Sequence, residues 1–116
     1  MRYLLLIYGE EAAWAAQSAE DAAAMTGEYM SFGEAIAAEG IMRGGDALQP
    51  SSTATTVRVR DGGTLLSDGP FAETHEQLGG FYMVECDTLD QAITAAERIP
   101  GARTGSIEVR PVREFD

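Results

Sequence analysis

The run Asp68-Gly69-Pro70-Phe71-Ala72-Glu73-Thr74-His75-Glu76-Gln77-Leu78-Gly79-Gly80-Phe81-Tyr82 gathers acids, the chain's one imidazole and three glycines into a single connection. Connections held by a rigid scaffold carry function more often than helix surfaces do. Asp68 and His75 facing each other across the turn would make an acid–base pair. In such a pair the carboxylate fixes the imidazole tautomer, and the imidazole exchanges a proton near neutral pH. A plainer alternative has Asp68 accepting from turn amides and His75 solvated in the first turn of a short helix. No nucleophile motif accompanies the two residues. Gly69, Pro70 and Phe71 at the start of the connection, with Tyr8 and Tyr82 on strands, are the candidate ligand contacts. Arg110 offers a planar fork for a carboxylate, although an exposed cross-strand ion pair explains it equally well. Cys86 is expected in the core, because nothing basic adjoins it to make a thiolate.

The elements that must position these residues are readable from periodicity. Residues 2–8 are apolar on both alternating sets, as in a strand covered on both faces. Ser18 can cap a helix that carries Glu20 and Asp21 in its first turn, with Met25, Tyr29, Phe32 and Ile36 on one stripe, which predicts a helix from about 18 to 39. Ile41 to Leu48 reads as an irregular strand broken by Gly44-Gly45. Thr55 to Arg60 and Thr64 to Ser67 flank Asp61-Gly62-Gly63, the pattern of a β-hairpin. Thr74 to Gln77 is a capping-box pattern that predicts one helical turn. Phe81 to Cys86 is a second strand apolar on both faces. Thr88 and Gln91 open a helix that Pro100-Gly101 ends, and Ser106 to Val112 alternates as a last strand. This order predicts an α+β fold, a ferredoxin-like split βαβ sandwich. Two helices cover only one sheet face. The other face must be hidden by something else, and a second copy packed sheet on sheet is the simplest cover, so a homodimer with clefts at its rim is expected.

The chain has 116 residues, 45% of them hydrophobic and 23% charged, the balance of one globular domain. Eight Arg and no Lys stand against 19 Asp and Glu, a net charge of -11, so no nucleic acid partner and no anionic membrane surface is expected. One Cys and one His provide no ligand set for structural zinc, and no disulfide can form within the chain. Gly44-Gly45 and Gly62-Gly63 lack the spacing and the Lys of a phosphate loop, so no metal and no cofactor is expected. The opening apolar run is too short for a signal segment, and a cytoplasmic location fits the cysteine usage.

Asp68-Gly69-Pro70-Phe71, followed by Glu73, Glu76, Gln77, Leu78, Gly79 and Gly80, resembles the DGPF subgroup of the YCII-related family. The likeness runs over residues 1–116 as one domain, through Tyr3-Leu4-Leu5-Leu6-Ile7-Tyr8, Thr55-Thr56-Val57-Arg58 and Gly105 to Val112. The resemblance implies a ferredoxin-like fold of the dimeric α/β-barrel type. YCII-type proteins are suspected enzymes through an Asp and a His on the first helix, but the helix at 18–39 has no His. In the DGPF motif a Lys often stands at the position of His75, which leaves proton transfer or ligand contact as the implied role here. DGPF proteins are also associated with extracytoplasmic-function sigma factors, which implies a regulatory sigma factor partner as the alternative. An acidic chain can meet a basic protein surface without touching DNA. The expectation is therefore a homodimer that binds a small organic ligand, an anion among the candidates, in a cleft lined by the 68–80 connection. Whether it is an enzyme stays open at this level.

Overall fold

The computed structural model describes residues 1–115. In chain order the elements are β1 (Arg2–Gly9), α1 (Glu11–Ala15), α2 (Ala19–Ala38), β2 (Met42–Ala47), β3 (Thr55–Arg60), β4 (Gly63–Asp68), β5 (Gln77–Glu85), α3 (Leu89–Glu97) and β6 (Ser106–Pro111), with short 3-10 turns at Ser51–Thr53 and Pro100–Arg103. One antiparallel sheet has the order β2-β5-β1-β6, and β3 and β4 form a separate two-stranded sheet. With that hairpin set aside, the order of the four remaining strands is that of a ferredoxin-like α+β fold, as the sequence predicts.

β1 sits at the sheet centre, and its alternation decides where the core lies. Tyr3, Leu5 and Ile7 are buried against the helices together with Phe32, Ile36, Val84, Cys86, Ala92, Ala95, Ala96 and Ile99. Ser18 accepts a hydrogen bond from the Asp21 amide at 3.0 Å and starts α2, and Thr88 accepts from the Gln91 amide at 3.2 Å and starts α3. Each cap satisfies an amide that the helix leaves without an internal partner. Alanines on α3 let it approach the sheet closely, so this helix is buried through small side chains.

Register sends Leu4, Leu6 and Tyr8 of β1, with Phe81 and Met83 of β5, to the face away from α2 and α3. The centre of that face is apolar and half-buried, and Asp46, Glu108 and Arg110 flank it. The hairpin is more exposed still. Asp61 and Gly62 take the left-handed φ values of 51° and 76° that its tight turn needs. Every residue of β4 is exposed, and Val57, Val59, Leu65 and Leu66 are 61%, 62%, 53% and 68% accessible. Extents of 48 × 47 × 19 Å describe a flat molecule with a projecting arm.

One local expectation is corrected. Thr74 to Gln77 forms no helical turn: the Thr74 hydroxyl donates to the Glu76 carbonyl, the Gln77 amide group donates to the Thr74 carbonyl, and β5 begins at Gln77. Local side-chain bonds of this kind compete with helical backbone bonds. The short helix α1, which the sequence reading left unassigned, follows β1 directly.

The Arg98 guanidinium grips Glu39 through two hydrogen bonds, of 3.0 and 2.7 Å, and ties α3 to the end of α2. That hydrogen bonding, above all, holds the Glu39 carboxyl below its ordinary value of 4.5. A lowered carboxyl pKa adds stability that is present above about pH 4.5 and lost as pH falls through the lower folded-state value. The stability difference between the native chain and Glu39→Gln, from urea unfolding, is therefore expected to be positive but small at pH 7 and to shrink as pH falls below about 4.5. The pair is exposed and its contribution is screened.

Candidate functional site

β1, β5 and β2 end, on their helix-covered face, in positions without side chains. A Cβ on Gly80 would lie 2.8 Å from the Asp46 carbonyl oxygen, and one on Gly45 would lie 2.7 Å from the Phe81 carbonyl oxygen. A Cβ on Gly79 would lie 2.6 Å from the Trp14 ring, and one on Gly9 would also collide with that ring. These glycines allow neighbouring backbones and an indole to approach closely. They form a bare floor beneath α1 and the first half of α2.

Over that floor lies a cleft of about 580 Å³. Trp14, Tyr29 and Tyr82 are its aromatic lining, Ala22 and Met25 close it from α2, and Gln17 stands at the α1 side. Tyr82 is held by an edge-on contact with Phe32, ring centres 5.0 Å apart. The Tyr29 hydroxyl accepts the Gly101 amide at 3.1 Å. Burial raises both tyrosine pKa values, so both hydroxyls stay protonated at neutral pH. The volume falls in the range of sites that enclose small organic molecules, and apolar walls with few polar groups match their usual make-up.

A second groove, of about 630 Å³, runs between α2 and the Pro100–Arg103 turn and is flanked by Arg98 and Arg103. Both guanidiniums are already paired, with Glu39 and Glu28, each at 2.7 Å. It has no free charge to offer an anion.

The connection expected to form the site is placed differently. His75 meets a carboxylate, but it is that of Glu10, at 2.7 Å, and the His75 side chain is 86% exposed. Asp68 is the last residue of β4, paired with Thr55 and exposed. The pairing of Asp68 with His75 inferred from sequence is thus replaced by a pairing with Glu10, because the strand carries Asp68 onto the arm. Gly69 closes the hairpin base, donating its amide to the Ala54 carbonyl at 2.6 Å and accepting from the Thr56 hydroxyl at 2.9 Å. Pro70 is exposed and Phe71 is 78% accessible. The rest of the connection is laced to the start of α1. Gln77 accepts the Glu11 amide at 3.0 Å, Ser106 donates to Glu76 at 2.9 Å, and the Glu11 carboxylate accepts both the amide and the hydroxyl of Ser51, at 2.6 and 2.7 Å.

Of the expected ligand contacts, Tyr82 lines the cleft. Tyr8 and Arg110 lie on the opposite sheet face, and Arg110 pairs with Glu108 of its own strand. Cys86 is buried, and burial pushes its thiol up, away from nucleophilic use. Sequence reasoning missed Trp14, Tyr29 and the floor. The signal was Gly79-Gly80 inside a strand, since glycine in a strand marks a close approach. Among the described residues no group of three His, Cys, Asp or Glu side chains is arranged to hold a metal ion, and no helix is long and apolar enough to cross a membrane.

Comparison with known proteins agrees with the fold. A family model described as YCII-related domain matches residues 1–116. A protein of Rhizobium meliloti (strain 1021), described as uncharacterized, is 37% identical over 114 residues, which cover 97% of this chain and 92% of that protein.

Proposed function

The chain belongs to the family of YCII-related domain proteins, and from that premise we propose that it is a cytoplasmic homodimer of the DGPF subgroup that binds a small organic molecule in the cleft beneath Trp14. One observation carries the reading: a cleft of about 580 Å³ is lined by Trp14, Tyr29 and Tyr82 together with Gly45, Gly79 and Gly80. A concave site of this size with a mainly apolar, aromatic lining has the usual make-up of a small-molecule site, which supports the reading. The DGPF connection contributes Gly79 and Gly80 to the floor, and its polar residues brace α1, which carries Trp14.

The homodimer is supported by two unpartnered apolar surfaces on one chain, the sheet face around Leu6 and the arm. A lone two-stranded hairpin is marginal in water, so the arm needs a cover. A self-complementary pair of surfaces is what a two-fold interface requires. A sigma factor bound to the same surfaces is the rival occupant.

The test is a screen of fragment-sized organic compounds by ligand-observed NMR on the native chain and on Trp14→Ala. Binders are expected for the native chain, with affinity reduced at least tenfold in Trp14→Ala. Equal binding by both, or no binder, overturns the reading. Acid–base chemistry at His75 is the second reading, favoured by the 2.7 Å contact that orients its ring toward Glu10.

A further inference from the structure

We propose that the cleft selects an uncharged, flat molecule carrying a carbonyl-type hydrogen-bond acceptor, received by the hydroxyl groups of Tyr29 and Tyr82. The proposal rests on the binding role of the cleft and names the class of its ligand.

The tyrosines supply donors that nothing in the chain uses. The Tyr29 oxygen accepts the Gly101 amide, so its acceptor side is engaged while its own proton meets no acceptor among the described residues. The Tyr82 hydroxyl makes no hydrogen bond among them either, and its ring is fixed by Phe32. Neither oxygen is sealed from solvent without a partner. Both residues line the cleft, so both protons are available to an acceptor bound there.

Charge excludes the obvious alternatives. The chain has no Lys, and no Arg lines the cleft. The one acidic lining residue is Asp46, whose register opposite Phe81 turns its side chain to the other sheet face. An anion entering here would lose its hydration with no cation to replace it, inside a chain of net charge -11. A cation would find aromatic faces but would leave both phenol protons unused. A neutral acceptor uses both donors, and the aromatic lining of Trp14, Tyr29 and Tyr82 suits a flat body.

Trp14 is the single tryptophan, so one indole N–H resonance reports on the cleft. The native chain is titrated with 2-acetylnaphthalene, 2-naphthoate and trimethyl(2-naphthyl)ammonium, which share a ring system and differ in charge, and with 2-ethylnaphthalene, which lacks the acceptor. The ketone is expected to shift the Trp14 resonance and to bind at least tenfold tighter than either ion. Tyr82→Phe and Tyr29→Phe should each weaken the ketone roughly three- to tenfold and leave 2-ethylnaphthalene unchanged, the loss typical of one hydrogen bond. Tighter binding of either ion, or ketone affinity unchanged in the double Phe variant, overturns the ligand class while the binding cleft stands. If none of the four compounds moves the Trp14 resonance, the cleft's binding role falls and the class falls with it.

Discussion

Val57→Lys combined with Leu66→Glu is expected to convert the proposed dimer to monomers, raising its dissociation constant by at least two orders of magnitude while the fold of each chain persists. Val57 and Leu66 are cross-strand partners on one face of the hairpin and are 61% and 68% accessible within the chain. New charges there therefore meet water in the monomer, and a directly opposed Lys and Glu support the hairpin. In an interface the same pair is taken out of water into an apolar contact, where imperfectly paired charges cost several kcal/mol. The net charge of -11 is unchanged, so altered colloidal behaviour does not explain a shift. Sedimentation velocity across a dilution series gives the constant, and far-ultraviolet circular dichroism confirms the fold. An unchanged dimer would remove the hairpin from the interface. A monomeric native chain would remove the second copy as the cover of the open face, and a native mass including a sigma-sized chain would hand both surfaces to that partner.

The fold was legible because its cues are local. Ser18 and Thr88 cap the helices that their spacing predicts, and Asp61-Gly62 turns the hairpin. The two-sided apolar pattern of β1 and β5 predicts a cover on both faces, and within one chain α2 and α3 cover one of them. The site was much less legible, for a physical reason. Sequence proximity put Asp68 beside His75, but Asp68 is spent as a strand residue at the arm's base, and a residue sixty-five positions earlier, Glu10, reaches His75 instead. The cleft is lined in part by backbone at Gly45, Gly79 and Gly80, and a list of reactive residues does not register a space. Tyr29 read as one member of a core stripe. It packs against the core, its hydroxyl accepts the Gly101 amide, and it also lines the cleft. Tyr8 and Tyr82 looked equivalent as strand tyrosines, and the register, which pairs Tyr82 with Leu5, puts them on opposite faces.

Adding one methyl group at two adjacent glycines is expected to separate the site from the fold. At Gly80 the new Cβ would sit 2.8 Å from the Asp46 carbonyl oxygen and 3.2 Å from the Ala47 Cα, both backbone atoms of β2. Backbone paired in a sheet has no rotamer by which to retreat, so β2 must shift and its ladder with β5 must distort. Gly80→Ala should cost about 2–3 kcal/mol, in the range for overpacking a well-filled interior, and lower the melting temperature by roughly 10 °C for a chain of this size. At Gly79 the new Cβ would sit 2.6 Å from the outer edge of the Trp14 ring. Trp14 is 37% exposed and stands on a five-residue helix, so the indole can swing outward. The methyl group also removes some freedom from the unfolded chain. Gly79→Ala should therefore leave stability within about 1 kcal/mol of the native value and yet red-shift the tryptophan emission and weaken 2-acetylnaphthalene at least tenfold. Thermal unfolding and the Trp14 titration measure the two effects separately. Equal losses of stability at both positions would mean that the indole is part of the structural core, and unchanged binding in Gly79→Ala would mean that the contact between Trp14 and the glycine floor does not shape the site.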